Sequence, residues 1–321
     1  MSAALNPRPR AIAFLSDCAD MVPLASVFKR LYPTLEVRWG DDLGRREDIE
    51  VAVCWFPPAG ELASLPNLRC IQSVGAGIEH ILADPQLPDA LPLFRILDPH
   101  MAAGMSAYVS WAVIHRQRDL PAFLEAQAQA HWREPQVTPP QLHRVGIAGY
   151  GTLGQACARV LVALGYQVRG WSRSAKDDPV PGVEQFVGAD RLDDFLAGCQ
   201  TLVCLLPLTE QTRGFLGRDT FARLPQGAHV INVGRGDHLV EADLLQALDS
   251  GHLGAATLDA FSVEPLPADS PLWRHPRISI TPHIATRTSF ATIATQTLEN
   301  FAQVVAGSPP SARQVSAQRG Y

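Results

Sequence analysis

No stretch of about 18 consecutive apolar residues occurs in this 321-residue sequence, which excludes a membrane-spanning helix. Runs of lysine or arginine are also missing and the formal net charge is -5, so the charge pattern points to neither nucleic acid nor an anionic membrane. The six cysteines, Cys18, Cys54, Cys70, Cys157, Cys199 and Cys204, include no C-x-x-C pair and no cysteine/histidine spacing of a metal site. Most lie in apolar segments and are expected to be reduced core thiols of a soluble, cytoplasmic protein. Arg8 and Arg10 precede Ala11-Ile12-Ala13-Phe14-Leu15, but Asp17 and Asp20 cut this run too short for a signal peptide, and it reads as a first core strand. No internal repeat of about 20–50 residues is visible.

The remaining composition, 46% hydrophobic and 18% charged, is that of a globular protein, and the chain is long for one core. Two domains with a cleft between them are expected. Residues 11–16, 51–56, 68–74 and 93–97 read as buried parallel strands of a first α/β domain. Residues 101–119 contain no proline and are apolar around the whole circumference, which predicts a helix buried on more than one side and in contact with a second copy. Pro135, Pro139 and Pro140 then break the chain. Beyond them, strands over 145–148, 167–171, 201–206, 229–233, 255–258 and 278–280 alternate with helical stretches, as a doubly wound sheet requires. Residues 287–306 have helical periodicity and are expected to return to the first domain, followed by a tail over 308–321. The expected division is therefore 1–99 plus 287–321 for a discontinuous substrate-binding domain, and 100–286 for a dinucleotide-binding domain.

Gly149-Tyr150-Gly151-Thr152-Leu153-Gly154 follows an apolar strand and opens an apolar helix, the context in which G-x-G-x-x-G carries weight. The first glycine permits the tight turn, the second a close approach to pyrophosphate, and the third close helix–strand packing. The N–H groups at the helix start, of Thr152 and Leu153 among them, face the phosphates. At the end of the next strand, where NAD-binding proteins carry a carboxylate for the ribose, the chain has Ser172-Arg173-Ser174. Nothing there repels a 2′-phosphate, and Arg173 can bond it, so NADPH is expected, with NADH possible but weaker. Pro207 and Val233, at the ends of two further strands, join this cofactor set. The alternative for Arg173 is a solvated loop residue.

Arg235, Glu264 and His283 each follow a predicted strand of the same sheet and should meet at its carboxyl edge. Arg235 offers a fork of donors that fits a carboxylate and polarises the adjacent ketone. His283 can protonate the ketone oxygen as hydride arrives, a general-acid role typically worth about 10²–10⁴ in rate. Glu264 beside the imidazole would favour its charged form and fix its orientation. Singly, an Arg between glycines can cap a turn, a Glu before Pro265 can be a loop residue, and a His after Pro282 can be structural. Their convergence beside a dinucleotide turn gives them a joint meaning.

On Gly149–Gly154, Trp171 to Ser174, Asn232 to Gly236, Leu258 to Pro265, Pro271-Leu272-Trp273-Arg274-His275-Pro276 and Thr281 to Ala285, the chain resembles the D-isomer-specific 2-hydroxyacid dehydrogenase family, most closely its glyoxylate/hydroxypyruvate reductase A group. The resemblance spans nearly the whole chain; two Rossmann-like doubly wound domains are expected, and the apolar surface of the 101–119 helix makes a homodimer expected. The resemblance implies reduction of glyoxylate and hydroxypyruvate to glycolate and D-glycerate, with Arg235 on the carboxylate, Glu264 assisting the histidine and His283 carrying the proton. It also implies that Asp259 holds the nicotinamide carboxamide and that the amides of Ala76 and Gly77 bind the substrate carboxylate; the glycines around them can equally mark a strand-ending turn. Ser172 departs from the acidic residue of NAD-using members. Glu264 departs from the Gln of the family's formate dehydrogenases, which favours 2-keto acid chemistry. Two alternatives stay open: a reductase of bulkier 2-keto acids such as phenylpyruvate, with Trp39, Trp55 and Trp273 as candidates to line its pocket, and a nucleotide-sensing corepressor, which the lack of low-complexity tails disfavours.

Overall fold

A computed structural model of the chain describes residues 7–88 and 90–315. Its contacts divide it into two units: one runs up to Pro99 and resumes at Arg287, the other is His100–Thr286. Five strands precede Pro99: β1 (Ala11–Leu15), β2 (Glu36–Trp39), β3 (Ile49–Cys54), β4 (Cys70–Ser73) and β5 (Leu93–Phe94). Seven lie in the second unit: β6 (Arg144–Ala148), β7 (Gln167–Ser172), β8 (Val183–Val187), β9 (Thr201–Cys204), β10 (Ala228–Asn232), β11 (Leu253–Leu258) and β12 (Ile278–Ile280). The last is β13 (Gln314–Val315).

The first unit has the order β13-β5-β4-β3-β1-β2, parallel throughout except for β13, which runs antiparallel to β5. β1 and β3 sit inside it and are almost wholly buried, which is why both read as continuous apolar runs. Three strands escaped the sequence reading: β2, β8 and β13. Glu36-Val37-Arg38-Trp39 and Val183-Glu184-Gln185-Phe186-Val187 lie at sheet edges and mix polar with apolar side chains. β13 falls in the segment expected to be a tail, of which 316–321 lie outside the described residues.

The segment with helical periodicity forms the helix Phe290–Val305, which lies in this first unit. Ser289 caps it by accepting the Thr292 N–H at 3.1 Å, and Ile293, Ala294, Thr297 and Phe301 are buried. Its Gln296 side chain accepts from the Leu97 N–H at 3.3 Å and donates to the Leu97 carbonyl at 2.8 Å. Asn300 donates to Gln72 at 2.8 Å beneath β4.

The second unit is an all-parallel sheet in the order β12-β11-β10-β9-β6-β7-β8. The chain enters at β6, builds outward to β8, then crosses back and builds outward again from β9. Strand order therefore reverses between β6 and β9, and ligands of such sheets bind outside the carboxyl ends at this point. Alternate residues feed two cores: Ala148, Leu202 and Cys204 enter one, whereas Val145, Ile147 and Val203 enter the other with Cys157 and Leu161 of the helix Thr152–Ala163.

The helix expected over 101–119 spans Pro99–Gln117, and Asp119 ends the segment in the left-handed region at φ 53°. Met105, Val109, Ala112 and Val113 enter the second core, while Trp111 on the opposite face is 40% exposed. Within one chain, burial on several sides is thus corrected to burial along one side. A further helix, Leu120–Ala128, follows it in a stretch to which the sequence assigns no element, before the prolines at 135, 139 and 140. Of the cysteines, Cys18 is exposed and the other five are buried free thiols, so a core role fails for Cys18 alone. Trp273 is 51% exposed, with its indole N–H donating to the Pro267 carbonyl at 2.9 Å. Among the described residues no helix is long and apolar enough to cross a membrane.

Candidate active site

The dinucleotide turn sits at the β6/β9 reversal. Gly149 has φ 101°, and a Cβ there would meet the Leu205 carbonyl at 2.5 Å and the Leu206 nitrogen at 2.8 Å. Only glycine lets the end of β6 approach the end of β9 so closely. A Cβ at Gly154 would strike the Gly149 carbonyl oxygen, so helix and strand pack closely there too. Gly151 is the opposite case, with nothing within 4 Å of the place a side chain would occupy. That open space lies at the start of the helix Thr152–Ala163, whose first N–H groups have no intrahelical acceptor. The turn therefore suits the pyrophosphate of a dinucleotide. Tyr150 faces inward, fully buried against Gly170, with its hydroxyl accepting the Val180 N–H at 3.1 Å.

At the end of β7 the Ser172 hydroxyl donates to the Ser174 carbonyl at 2.8 Å, which folds the chain into a tight corner. Arg173, at its tip, is exposed to solvent. The residue that ends the strand is Ser172, not a carboxylate. Pro207 and Val233 follow β9 and β10 at the same edge, with the Val233 N–H donating to the Cys204 carbonyl at 3.2 Å.

Arg235 lies in a turn held from below. Its N–H donates to Nδ1 of His238 at 2.9 Å, and its carbonyl accepts from the Asn232 side chain at 2.9 Å. His238 is fully buried, and burial lowers its pKa, with only partial opposition from backbone hydrogen bonds. The ring stays neutral, so its Nδ1 keeps the lone pair that fixes Arg235. Gly236 rests on the backbone at Phe261 and Ser262, where any Cβ would collide with the chain. This contact brings the Arg235 turn beside the segment that carries Glu264.

Glu264 and His283 are in direct contact: Nδ1 of His283 lies 2.8 Å from Oε2 and 3.1 Å from Oε1. The Phe261 N–H donates to Oε1 at 2.9 Å and fixes the carboxylate from behind. Burial alone would raise the Glu264 carboxyl, but the bonds from His283 and Phe261 and the charges of His283 and Arg235 outweigh it. The net direction is downward, so Glu264 stays a carboxylate and an acceptor. With Nδ1 turned to Glu264, the other ring nitrogen is the one placed to meet a substrate.

His283 itself adopts φ 53°, in the left-handed region, which costs a non-glycine residue about 1–2 kcal/mol. Asp259, 2% exposed, supplies the compensation. Its Oδ1 accepts from the Thr281 hydroxyl at 2.6 Å and the Ile284 N–H at 2.8 Å, and its Oδ2 accepts from the Ala285 N–H at 2.8 Å. A carboxylate has about four acceptor sites, so one remains for a further donor such as a carboxamide. In the first unit, Ala76 and Gly77 form a half-buried loop after β4, where the Ser73 hydroxyl donates to the Gly77 carbonyl at 2.7 Å and Gly75 packs on Trp55. Among the described residues no His/Cys/Asp/Glu group is arranged to hold a metal ion.

Residues 110–285 match the profile of the family described as D-isomer specific 2-hydroxyacid dehydrogenase, NAD binding domain. This chain belongs to the D-isomer specific 2-hydroxyacid dehydrogenases. It is 41% identical to the glyoxylate/hydroxypyruvate reductase A of Serratia proteamaculans, over 90% of this chain and 92% of that one. A dehydrogenase of the family from Xanthobacter autotrophicus Py2, solved with NADPH and MES, superposes with a TM-score of 0.86 at 39% identity, covering 98% of this chain and 100% of that one. The NADPH-dependent glyoxylate/hydroxypyruvate reductase of Sinorhizobium meliloti, solved with NADP and sulfate, gives a TM-score of 0.87 at 34% identity, with 97% and 99% covered.

Several groups that shape this dehydrogenase site had no individual signal in the sequence. His238 reads as one more polar residue after a glycine, although a histidine three positions from an arginine in a glycine turn is a hint that it could reach back. Asp259 is expected as a cofactor contact, and in the dehydrogenase fold it also carries the His283 turn.

Proposed function

We propose that the chain reduces small 2-keto acids, glyoxylate and hydroxypyruvate, to glycolate and D-glycerate with NADPH. The observation that carries this reading is the His283–Glu264 pair, close enough to Arg235 for its charge to act on the carboxylate, at the sheet edge that also bears the dinucleotide turn. The relatives named for glyoxylate/hydroxypyruvate reduction support the substrate class. Bound NADPH supplies a hydride to the keto carbon. Arg235 pairs with the substrate carboxylate and polarises the adjacent ketone. His283 gives its proton to the ketone oxygen as that oxygen gains charge, and regains one from solvent after product leaves. Glu264 holds the ring and balances its charge during the cycle.

In this reading the first unit is the substrate-binding domain, with the amides of Ala76 and Gly77 on the carboxylate, and the second is the dinucleotide-binding domain. Gly149, Gly151, Thr152, Leu153 and Gly154 take the pyrophosphate, Ser172, Arg173 and Ser174 the 2′-phosphate, and Pro207, Val233 and Asp259 the nicotinamide end. Following NADPH and NADH oxidation with glyoxylate, hydroxypyruvate, pyruvate and phenylpyruvate tests it. Glyoxylate and hydroxypyruvate with NADPH should be the fastest; faster turnover of phenylpyruvate, or no turnover at all, would overturn the assignment.

We also propose a homodimer through the helix Pro99–Gln117. On its outer face Trp111 is 40% exposed, with its ring 5.2 Å from that of His115, surface that a second copy would cover.

A further inference from the structure

The loop that bears His283 is pinned at both ends to one helix. At its start, the Thr281 hydroxyl lies 2.5 Å from the Tyr108 hydroxyl, and at its end the Thr286 hydroxyl donates to the Met101 carbonyl at 3.0 Å. Both partners belong to the helix Pro99–Gln117. Gly104 lies between them, and a Cβ there would already press on the Thr286 hydroxyl at 3.0 Å. Thr281 has a single proton, and it points to Oδ1 of Asp259 at 2.6 Å. The Tyr108 hydroxyl must therefore be the donor to Thr281. Burial pushes the Tyr108 phenol up to about 12, so it keeps that proton. The chain runs in one direction, from Tyr108 to Thr281 to Asp259, and ends on the carboxylate that accepts the N–H groups of Ile284 and Ala285 next to His283.

We propose that Thr281, oriented by Tyr108, is a positioning residue of the reaction: it fixes the Asp259 carboxylate on which the left-handed turn of His283 depends. Without the Thr281 hydroxyl, Asp259 keeps only its two backbone donors and can rotate about its side-chain bonds. The His283 turn then loses the anchor that holds its backbone in an unfavourable region, and the ring drifts relative to the keto oxygen. Proton transfer is more sensitive to this than substrate binding, because it requires the donor atom at hydrogen-bond distance in the transition state. This inference rests on His283 as the proton donor.

The test uses full-length Thr281→Val, Thr281→Ser and Tyr108→Phe, with kcat and KM for glyoxylate at saturating NADPH, NADPH affinity by fluorescence titration, and a melting curve for each. Thr281→Val should lower kcat by about tenfold to hundredfold while KM and NADPH affinity move by less than about threefold. Thr281→Ser, which restores the hydroxyl, should recover most of the loss, and Tyr108→Phe should fall between the two. A wild-type kcat in Thr281→Val, or no recovery in Thr281→Ser, overturns the proposal. If the valine variant does not fold, Tyr108→Phe decides, since a wild-type kcat there also overturns it. His283→Ala separates this inference from the reading beneath it: an active His283→Ala removes the proton donor itself, whereas an inactive one beside active Thr281 and Tyr108 variants removes only the relay.

Discussion

His229 should make the second unit sensitive to acid. It lies on β10 with 2% exposure, and its Nε2 sits 2.9 Å from the Thr257 hydroxyl on β11. Its Nδ1 has no hydrogen-bond partner among the described residues. Burial first, then the charges of Arg116, His143 and His115, push its pKa from 6.5 down to about 3. The folded state therefore holds His229 neutral while the unfolded chain binds a proton below 6.5. This contribution is fully present above that value and is lost as pH falls toward about 3. At pH 5 the unfolded histidine is favoured by RT ln(1 + 10^1.5), about 2 kcal/mol, with almost nothing subtracted by the folded state. For a unit of this size that lowers the melting temperature by roughly 4–8 °C relative to neutral pH. His229→Gln removes the titration. It should melt lower than wild type at pH 7, for lost packing, yet lose less on going to pH 5 by about that margin. Calorimetry at the two pH values checks this; equal losses in wild type and variant would refute the assignment. The wild-type curve also contains His143, lowered by burial beside the Thr201 hydroxyl, so the comparison must be of differences between the two proteins.

Three further outcomes are expected. His283→Ala should lose about 10²-fold or more in kcat with NADPH affinity retained, and Arg235→Ala should weaken keto-acid KM and kcat together, both read from steady-state kinetics. Arg173→Ala should cost NADPH about one to two powers of ten in kcat/KM but leave NADH nearly unchanged, because only the 2′-phosphate meets the guanidinium; equal losses would return Arg173 to a solvated loop role. Light scattering at micromolar concentration should give a dimer mass, and a charge placed at Trp111 should shift it toward the monomer.

The order of elements and the chemistry of the turn after β6 were legible because they depend on local pattern. Apolar runs of strand length, a glycine triplet and three polar residues at strand ends all appear in the sequence without a partner. Edges were not legible. Glu36-Val37-Arg38-Trp39 becomes a strand because β1 offers it a ladder; Glu36 is exposed, and Arg38 is held by Glu36 and the Leu43 carbonyl. Gln314 and Val315 pair with Leu93 and Phe94 across more than two hundred residues. The supporting residues of the site were hidden for the same reason. Tyr108 looks like one more apolar helix position until β12 delivers Thr281 to its hydroxyl, and Asp259 looks like a ligand contact until the turn folds onto both of its oxygens.

Gly236 shows how such long-range fit can be written in one position that a motif search passes over. In Asn232-Val233-Gly234-Arg235-Gly236 the second glycine reads as freedom for the turn around Arg235. Its backbone angles do not require that freedom, since φ there is not positive. What requires glycine is contact with the Phe261 carbonyl and the Ser262 nitrogen. That contact sets how near the guanidinium turn can come to the Phe261 N–H that holds Glu264, and so how strongly the positive charge acts on the carboxylate. Burial would otherwise push Glu264 toward its neutral form, in which it could no longer accept equally from His283 and Phe261. A Cβ at 236 would push the Arg235 turn away and weaken the hold of one of the positive charges on the Glu264 carboxylate. The charges of Arg235 and Glu264 are thus coupled by a steric constraint, and the glycine belongs to the electrostatics of the site as much as to its backbone.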